Sequence, residues 1–213
     1  MKRFFIIILF FISVITVNAQ RKSGISAFNF IPDFYIGGNI GPNAFLADGY
    51  SEYGFKGCYG LSESVFMGYN LSETIGVRGL ASFSNLTWPG VHSQNIIEKK
   101  FSTMAMSVEA IYNFSNTFDI YNLNRPLDFS IFAGVGFISR EKSTFNNEYL
   151  GYVLKGGLQL DYRINLKLDL SAQANVNVLD EDFNEKVVGI PFDVVPEFKV
   201  GLTYHMRTNR RFR

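Results

Sequence analysis

The chain has 213 residues, with 20 lysines and arginines against 19 aspartates and glutamates and a formal charge of +1. That length suits one domain, and the balance excludes a nucleic-acid binder, which would carry a basic face within its fold. Cys58 is the one cysteine, which excludes an internal disulfide, and charged residues make up only 18% against 16% aromatic, so the chain needs a source of stability other than cross-links.

The chain opens with "MKRFFIIILFFISVITVNAQ". Lys2 and Arg3 form a charged start, Phe4 to Val17 an apolar run, and Val17-Asn18-Ala19 a cleavage site of modest side chains. Residues 1–19 read as a secretory signal peptide cut after Ala19. The run is short for a spanning helix, and no cysteine lies near the cut to carry a lipid. Losing Lys2 and Arg3 turns 20 basic against 19 acidic side chains into 18 against 19. Residues 20–32 read as an N-terminal periplasmic segment, 33–206 as the folded domain and 207–213 as a basic tail with Arg207, Arg210, Arg211 and Arg213.

Past the signal, apolar residues recur at every second position, the period of a strand with two unlike faces. Phe34, Ile36, Gly38 and Ile40 lead a first strand; Tyr59, Leu61, Val65, Met67 and Tyr69 line a second. Ile75, Val77, Ala81 and Phe83 line a third, with Arg78 on the other face; Met104 to Tyr112 line a fourth, opposite Ser107 and Glu109. Phe129 to Phe137 mark a fifth, and Tyr152, Leu154, Leu158, Leu160 and Tyr162 a sixth, opposite Lys155 and Asp161. A seventh runs from Leu166 to Val178, with Lys167 and Asp169 on its polar face. Phe198, Val200, Leu202, Tyr204 and Met206 line an eighth, opposite Glu197 and Lys199. No helical period interrupts them, so neighbours should pair antiparallel.

The expected fold is a closed, eight-stranded, antiparallel, up-and-down transmembrane β-barrel, since strands of about ten residues cross a bilayer when tilted. Connections alternate: "SET" and "RIN" are short, whereas "ADGYSEYGFKG", "NLTWPGVHSQNIIEKK", "SREKSTFNNEY" and "DEDFNEKVVGIP" are long. "SNTFDIYNLNRP", after the fourth strand, is the long exception. Tyr69, Tyr112, Tyr162 and Tyr204 end the even strands on the apolar parity. At one rim they would form a periplasmic aromatic girdle, rings in lipid and hydroxyls at the headgroups. A soluble lipocalin-like barrel would turn the apolar face inward. The tyrosine rim, and an opposite face rich in Gly, Ser, Asn and Gln, favour the membrane form.

"GLSESVFMGYNLSETIGVRG" (Gly60–Gly79) resembles the second hairpin of the eight-stranded outer-membrane β-barrel families of Gram-negative bacteria. These include the transmembrane domain of outer-membrane protein A and the "outer membrane protein beta-barrel domain" proteins labelled PorT-like. Lys199, Gly201, Tyr204 and Met206 resemble their C-terminal assembly signal, with Met206 where Phe is usual. The resemblance covers residues 33–206. It implies an outer-membrane location with periplasmic termini, recognition by the barrel-assembly machinery, and contact with outer-membrane lipid and lipopolysaccharide.

The polar parity predicts a lumenal charge network of Arg78, Glu109, Lys155, Asp161, Lys167, Asp169, Glu197 and Lys199. Arg78 and Glu109 sit on adjacent strands, Asp161 and Lys167 flank a short turn, and Glu197 and Lys199 share a strand. Pairing is expected because a lone buried charge is costly. An eight-stranded bore is just filled by side chains, so a structural or surface-interaction role is expected, with a narrow porin-like channel as the alternative. A lipid-modifying enzyme is less favoured: adjacent His92 and Ser93 do not easily converge and no spaced triad appears. No cofactor or metal is expected; His205 reads as a hydrogen-bonded filler and Cys58 as a packed thiol. Trp88, Tyr50, Tyr53, Phe55, Phe145 and Tyr149 on the long connections could meet an extracellular ligand. A monomer is expected. Glu63 has outward parity between Leu61 and Val65, where a lipid-facing carboxylate would be destabilising. Either a bulge near Ser62–Ser64 turns it inward or the strand leaves the bilayer early.

Overall fold

The computed structural model describes residues 32–46, 59–92, 95–118, 125–141, 149–180 and 192–206, with backbone alone at 88–92 and 95–99. The signal peptide 1–19, residues 20–31, the tail 207–213, Cys58, Tyr50, Tyr53, Phe55, Phe145 and Ser93, and the side chains of Trp88 and His92, lie outside what is described.

Eight strands follow one another: β1 (Phe34–Ala44), β2 (Tyr59–Asn70), β3 (Ile75–His92), β4 (Asn95–Asn113), β5 (Leu127–Arg140), β6 (Tyr149–Asn165), β7 (Leu168–Asp180) and β8 (Phe192–His205). Each pairs antiparallel with the next, and β1 pairs with β8 to close the barrel. Closure leaves no sheet edge around the wall, so the backbone groups there are satisfied within the barrel. No described helix is long and apolar enough to cross a membrane; the single described helical turn, α1 (Ser115–Phe118), follows β4.

Pairing fixes the stagger. Partners followed from Asn43 run through Glu197, Asn175, Gly157, Phe132, Ile111, Gly76 and Asn70. Asn70 N–H donates to Asp33 O, at 3.0 Å, so the path returns to the first strand ten residues from its start. Eight strands with that stagger tilt by about 40°. Each residue therefore climbs about 2.5 Å along the axis.

The exposure pattern decides which face is which. Leu150, Val135 and Val108 are 74%, 62% and 64% exposed, while Arg78 and Glu109 are 1% and 2%. The apolar parity faces out and the polar parity faces the lumen, the inverse of a soluble barrel.

Several boundaries differ from the alternation reading. Asn85 to Lys100 was expected to be a long connection, but β3 and β4 continue as a paired ribbon to His92↔Asn95. Polar, mixed residues mask a strand once it leaves the wall, because a two-stranded ribbon has no apolar face to enforce the period. Likewise β5 extends to Arg140 and β6 begins at Tyr149. "RIN" is not the sixth connection: β6 runs through Asn165, with a register shift between Arg163 and Asn165. Leu166 and Lys167 form the turn. Asn165 Oδ1 accepts from Lys167 N–H (2.9 Å) and Leu168 N–H (3.0 Å) and so closes it.

The lumen as candidate functional site

The inward side chains form three tiers. Arg78 anchors the middle one. Its Nε and Nη2 donate to Glu109 Oε2 at 2.8 and 2.5 Å, and its Nη1 donates to Gln159 Oε1 at 2.9 Å. Its guanidinium lies between the rings of Phe66 and Phe132, 5.0 and 5.1 Å from their centroids. That sandwich binds the cation and keeps water off it. Glu109 faces Gly134 across the β4–β5 pair. A Cβ at Gly134 would come within 2.6 Å of Glu109 Cγ, so glycine there makes room for the carboxylate arm. Gly157 does the same for Phe132, whose Cζ would lie 2.7 Å from an added Cβ.

From Arg78 the network continues through amides. Gln159 Nε2 donates to both oxygens of Asp161 (2.9 and 2.8 Å). Gln173 Nε2 donates to Gln159 Oε1 (2.9 Å), and Asn39 Nδ2 donates to Gln173 Oε1 (2.9 Å). Ser64 Oγ donates to Asn39 Oδ1 and accepts from Lys199 Nζ at 3.3 Å. Lys199 pairs with Glu197 at 2.8 Å, whose Oε2 also accepts from Asn175 Nδ2 at 2.8 Å. Lys155, 7% exposed, flanks a small cavity that Glu197 also lines. Seven strands donate polar groups to this tier and β5 contributes the glycine and the stacked ring.

The lower tier lies at the turn end. His205 bridges Asp33 (Nδ1 to Oδ2, 2.7 Å) and Asp169 (Nε2 to Oδ2, 3.0 Å), tying β8 to the residue preceding β1 and to β7. Arg163 pairs with Asp128 at 3.0 Å and approaches Asp169 at 3.6 Å. Arg125 reaches Asp128 (3.3 Å) and Asn116 of α1 (3.1 Å), and Asn116 donates to the Glu73 carbonyl in the first turn (2.7 Å). These contacts link β8, β7, β6, α1 and the first turn across the turn end of the barrel.

The upper tier is apolar. Phe45, Leu86, Phe101, Ala105, Ile138, Val153, Leu179 and Val195 point inward and are 1–7% exposed, with Phe45 and Phe101 edge to face at 5.8 Å. A wholly polar lumen was expected; instead a hydrocarbon cluster fills much of its loop end, beside the buried Arg140 and Asp193. The weak signal for this was an inward parity turning apolar at Leu86, Phe101, Ile138 and Val153, within stretches read as connections or strand ends.

Of the predicted network, the structure brings together Arg78 with Glu109, and Glu197 with Lys199. Asp161 and Asp169 face the lumen on glutamine and histidine partners. Lys167 does not join: it is exposed at the turn apex, and Arg163 takes the position opposite Asp169. Sequence reading missed Arg163, Asp128, Asp33 and the two stacked phenylalanines.

On the outward face, Tyr69, Tyr112, Tyr162 and Tyr204 fall within about 4 Å of one height by the stagger. Phe34 packs on Tyr69 at 4.5 Å, and Tyr112 Oη accepts from Thr117 Oγ1 at 2.8 Å. The apolar band extends from that level to Asn85, Ser102 and Ser139, about 25 Å above, the height of a lipid-facing belt. Lys199 and Gly201 face inward while Tyr204 and Met206 face outward. Glu63 faces outward in unbroken register opposite Ile40 and Phe83, so no bulge turns it in.

No family model matches the sequence, and no curated protein does. Solved structures match the fold. Neisserial surface protein A is 15% identical over 80% of this chain and 96% of its own, with a TM-score of 0.55. A major outer-membrane protein of Thermus thermophilus is 14% identical over 83% and 100%, with a TM-score of 0.53. The outer-membrane protein OprG of Pseudomonas aeruginosa is 13% identical over 83% and 96%, with a TM-score of 0.52. The chain thus has the closed eight-stranded fold these outer-membrane proteins share.

Proposed function

We propose that this chain is an outer-membrane β-barrel with a closed, side-chain-filled lumen, acting as a structural or surface-interaction protein rather than a conductor or an enzyme. The observation that carries the reading is the stacking of three tiers in one bore: the His205 contacts, the Arg78 layer and the apolar upper tier. An ion would have to break paired charges and then pass a constriction of Phe45, Leu86, Phe101 and Leu179, where apolar walls favour a barrier by dewetting. The outward band and the tyrosine level support placement in lipid. With the turns on the periplasmic side, both termini lie there, and the β3–β4 ribbon extends outward from the cell, where a ligand or lipopolysaccharide sugar would meet it. The C-terminal Lys199, Gly201, Tyr204 and Met206 support entry through the barrel-assembly machinery. The best-buried inward charges, Arg78 with Glu109 and Glu197 with Lys199, are spent on one another, which supports a non-catalytic role.

The test has two parts. The mature protein should fractionate with the outer membrane and migrate differently on a gel before and after boiling; recovery as a soluble periplasmic monomer would end the reading. Refolded into planar bilayers, it should give no steady conductance. A large, steady current would replace the closed barrel with a narrow channel.

A further inference from the structure

Glu63 is exposed and outward. Among the described residues it is the one charged side chain on the outward parity between the tyrosine level and Asn85. By the stagger it stands about 15 Å above the tyrosines and about 8 Å below Asn85. No described hydrogen bond or ion pair holds it. Its strand is regular, so it cannot swing into the bore, where Ser62 and Ser64 are fully packed at 0% and 4% exposure.

Two clefts meet at Glu63 and Phe83. The lower one is apolar, lined by Gly38, Ile40, Val65, Val200 and Leu202. The upper one is mixed, with Leu61, Asn85, Ser102 and Ser139, and at its far side the charged Arg140 and Glu141. Ser102 Oγ donates to Asn85 Oδ1 at 2.9 Å, leaving the Asn85 amide protons available to a ligand. Tail chemistry therefore lies below the carboxylate and head chemistry above it.

A carboxylate in a lipid-facing wall is costly unless it is paired with a cation and hydrogen-bonded. Among the described residues no cation pairs with it: Arg140, the cation of the upper cleft, is buried inward over the Tyr149 ring at 5.7 Å, so the occupant must supply one. We infer that the outward face of β1–β3 is a binding site for a lipid whose headgroup carries a protonated primary amine. The ammonium pairs with Glu63, the polar head lies toward Asn85 and Ser102, and one acyl chain lies along Gly38, Ile40 and Val65. This rests on the outer-membrane reading.

Native mass spectrometry of the refolded, detergent-solubilised protein tests it, with phosphatidylethanolamine and phosphatidylglycerol of identical acyl chains in competition. The wild type should retain the ethanolamine lipid several-fold over the glycerol lipid. Glu63→Gln should bring the ratio near one, and Glu63→Lys should reverse it. A wild-type ratio of one, or a preference that survives in Glu63→Gln, overturns the site. A wild-type dimer lost in Glu63→Gln also overturns it and gives the face to a second copy. If the wild type refolds in neither lipid, the membrane reading falls and this inference falls with it.

Discussion

The two ends of the lumen are walled by the same eight strands and the same parity, yet they are filled by opposite chemistries. At the loop end Phe45, Leu86, Phe101 and Leu179 pack a hydrocarbon cluster into the bore, with Arg140 and Asp193 buried beside it. Toward the turns Arg78, Glu109, Gln159 and Gln173 close the bore with hydrogen bonds. A strand period decides only which way a side chain points; what it points into decides the energetics. The apolar tier is stabilised by volume and should accept swaps of similar size. The polar tier is stabilised by saturation, and one missing partner leaves the others buried and unmatched.

The sharpest way to break this contrast is the Arg78–Glu109 pair. Both side chains are almost fully enclosed, at 1% and 2%. Arg78→Met strands the Glu109 carboxylate, and Glu109→Gln leaves Arg78 without its counter-charge. Each should cost roughly 3–5 kcal/mol in urea unfolding from lipid vesicles. The double variant should cost clearly less than the sum, because it removes the stranded charge as well as the pair. Simple addition of the single effects would show that the polar tier does not act as a unit.

The apolar tier gives the complementary result. Leu86, 2% exposed, should lose roughly 2–5 kcal/mol as Leu86→Ala, mostly through the cavity left behind. Leu86→Met should cost less than about 1.5 kcal/mol. The Arg78 layer beneath stays intact in both, so neither should conduct. If Leu86→Ala alone opened a steady current, the apolar tier would be the sole gate and the lower tiers permeable.

The wall of this barrel was legible in the sequence, because period two persists wherever one face is apolar. Arg78 and Glu109 were legible for the same reason: both lie on the polar parity of adjacent strands, at similar heights above the turn rim. What was not legible begins where the outward face stops being uniform. Past Phe83 the alternation blurs, and the ribbon to His92 reads as a connection. The one-residue irregularity near Ile164 moved Lys167 to an apex and put Arg163 opposite Asp169. The inward Tyr35, Phe66, Leu80 and Phe132 were hidden differently, because an aromatic or leucine on the polar parity looks like noise until Arg78 is seen between two rings.

A smaller effect is expected at the seam. His205 joins the last strand to Asp33 and Asp169, while Asp33 keeps Asn70 at 2.8 Å. His205→Ala should cost roughly 1.5–3 kcal/mol, the range for hydrogen bonds to charged groups. The loss should be local: amides of the β1–β8 ladder, such as Gly37 and Thr203, should exchange faster with deuterium while those of the β3–β4 ladder do not. Uniform acceleration around the barrel would mean that His205 contributes to global stability and does not latch one seam.

The smallest expected effect is at Lys167, where parity and geometry disagree outright. Counting from Leu166, Lys167 belongs to the lumen and pairs with Asp161. In the structure Lys167 sits at an exposed turn apex. Asp161 instead accepts two hydrogen bonds from Gln159. The turn is held through backbone amides by Asn165 Oδ1, which does not depend on the lysine side chain. Lys167→Ala should therefore change stability by less than about 0.5 kcal/mol, as surface substitutions do. Arg163→Met should cost distinctly more, because it removes the partner that Asp128 holds at 3.0 Å in a side chain only 14% exposed. Urea midpoints for the two variants in the same vesicles decide between the readings. If Lys167→Ala proved the costlier change, the register of the β6–β7 hairpin would have to shift by one residue, and Arg163 would face outward.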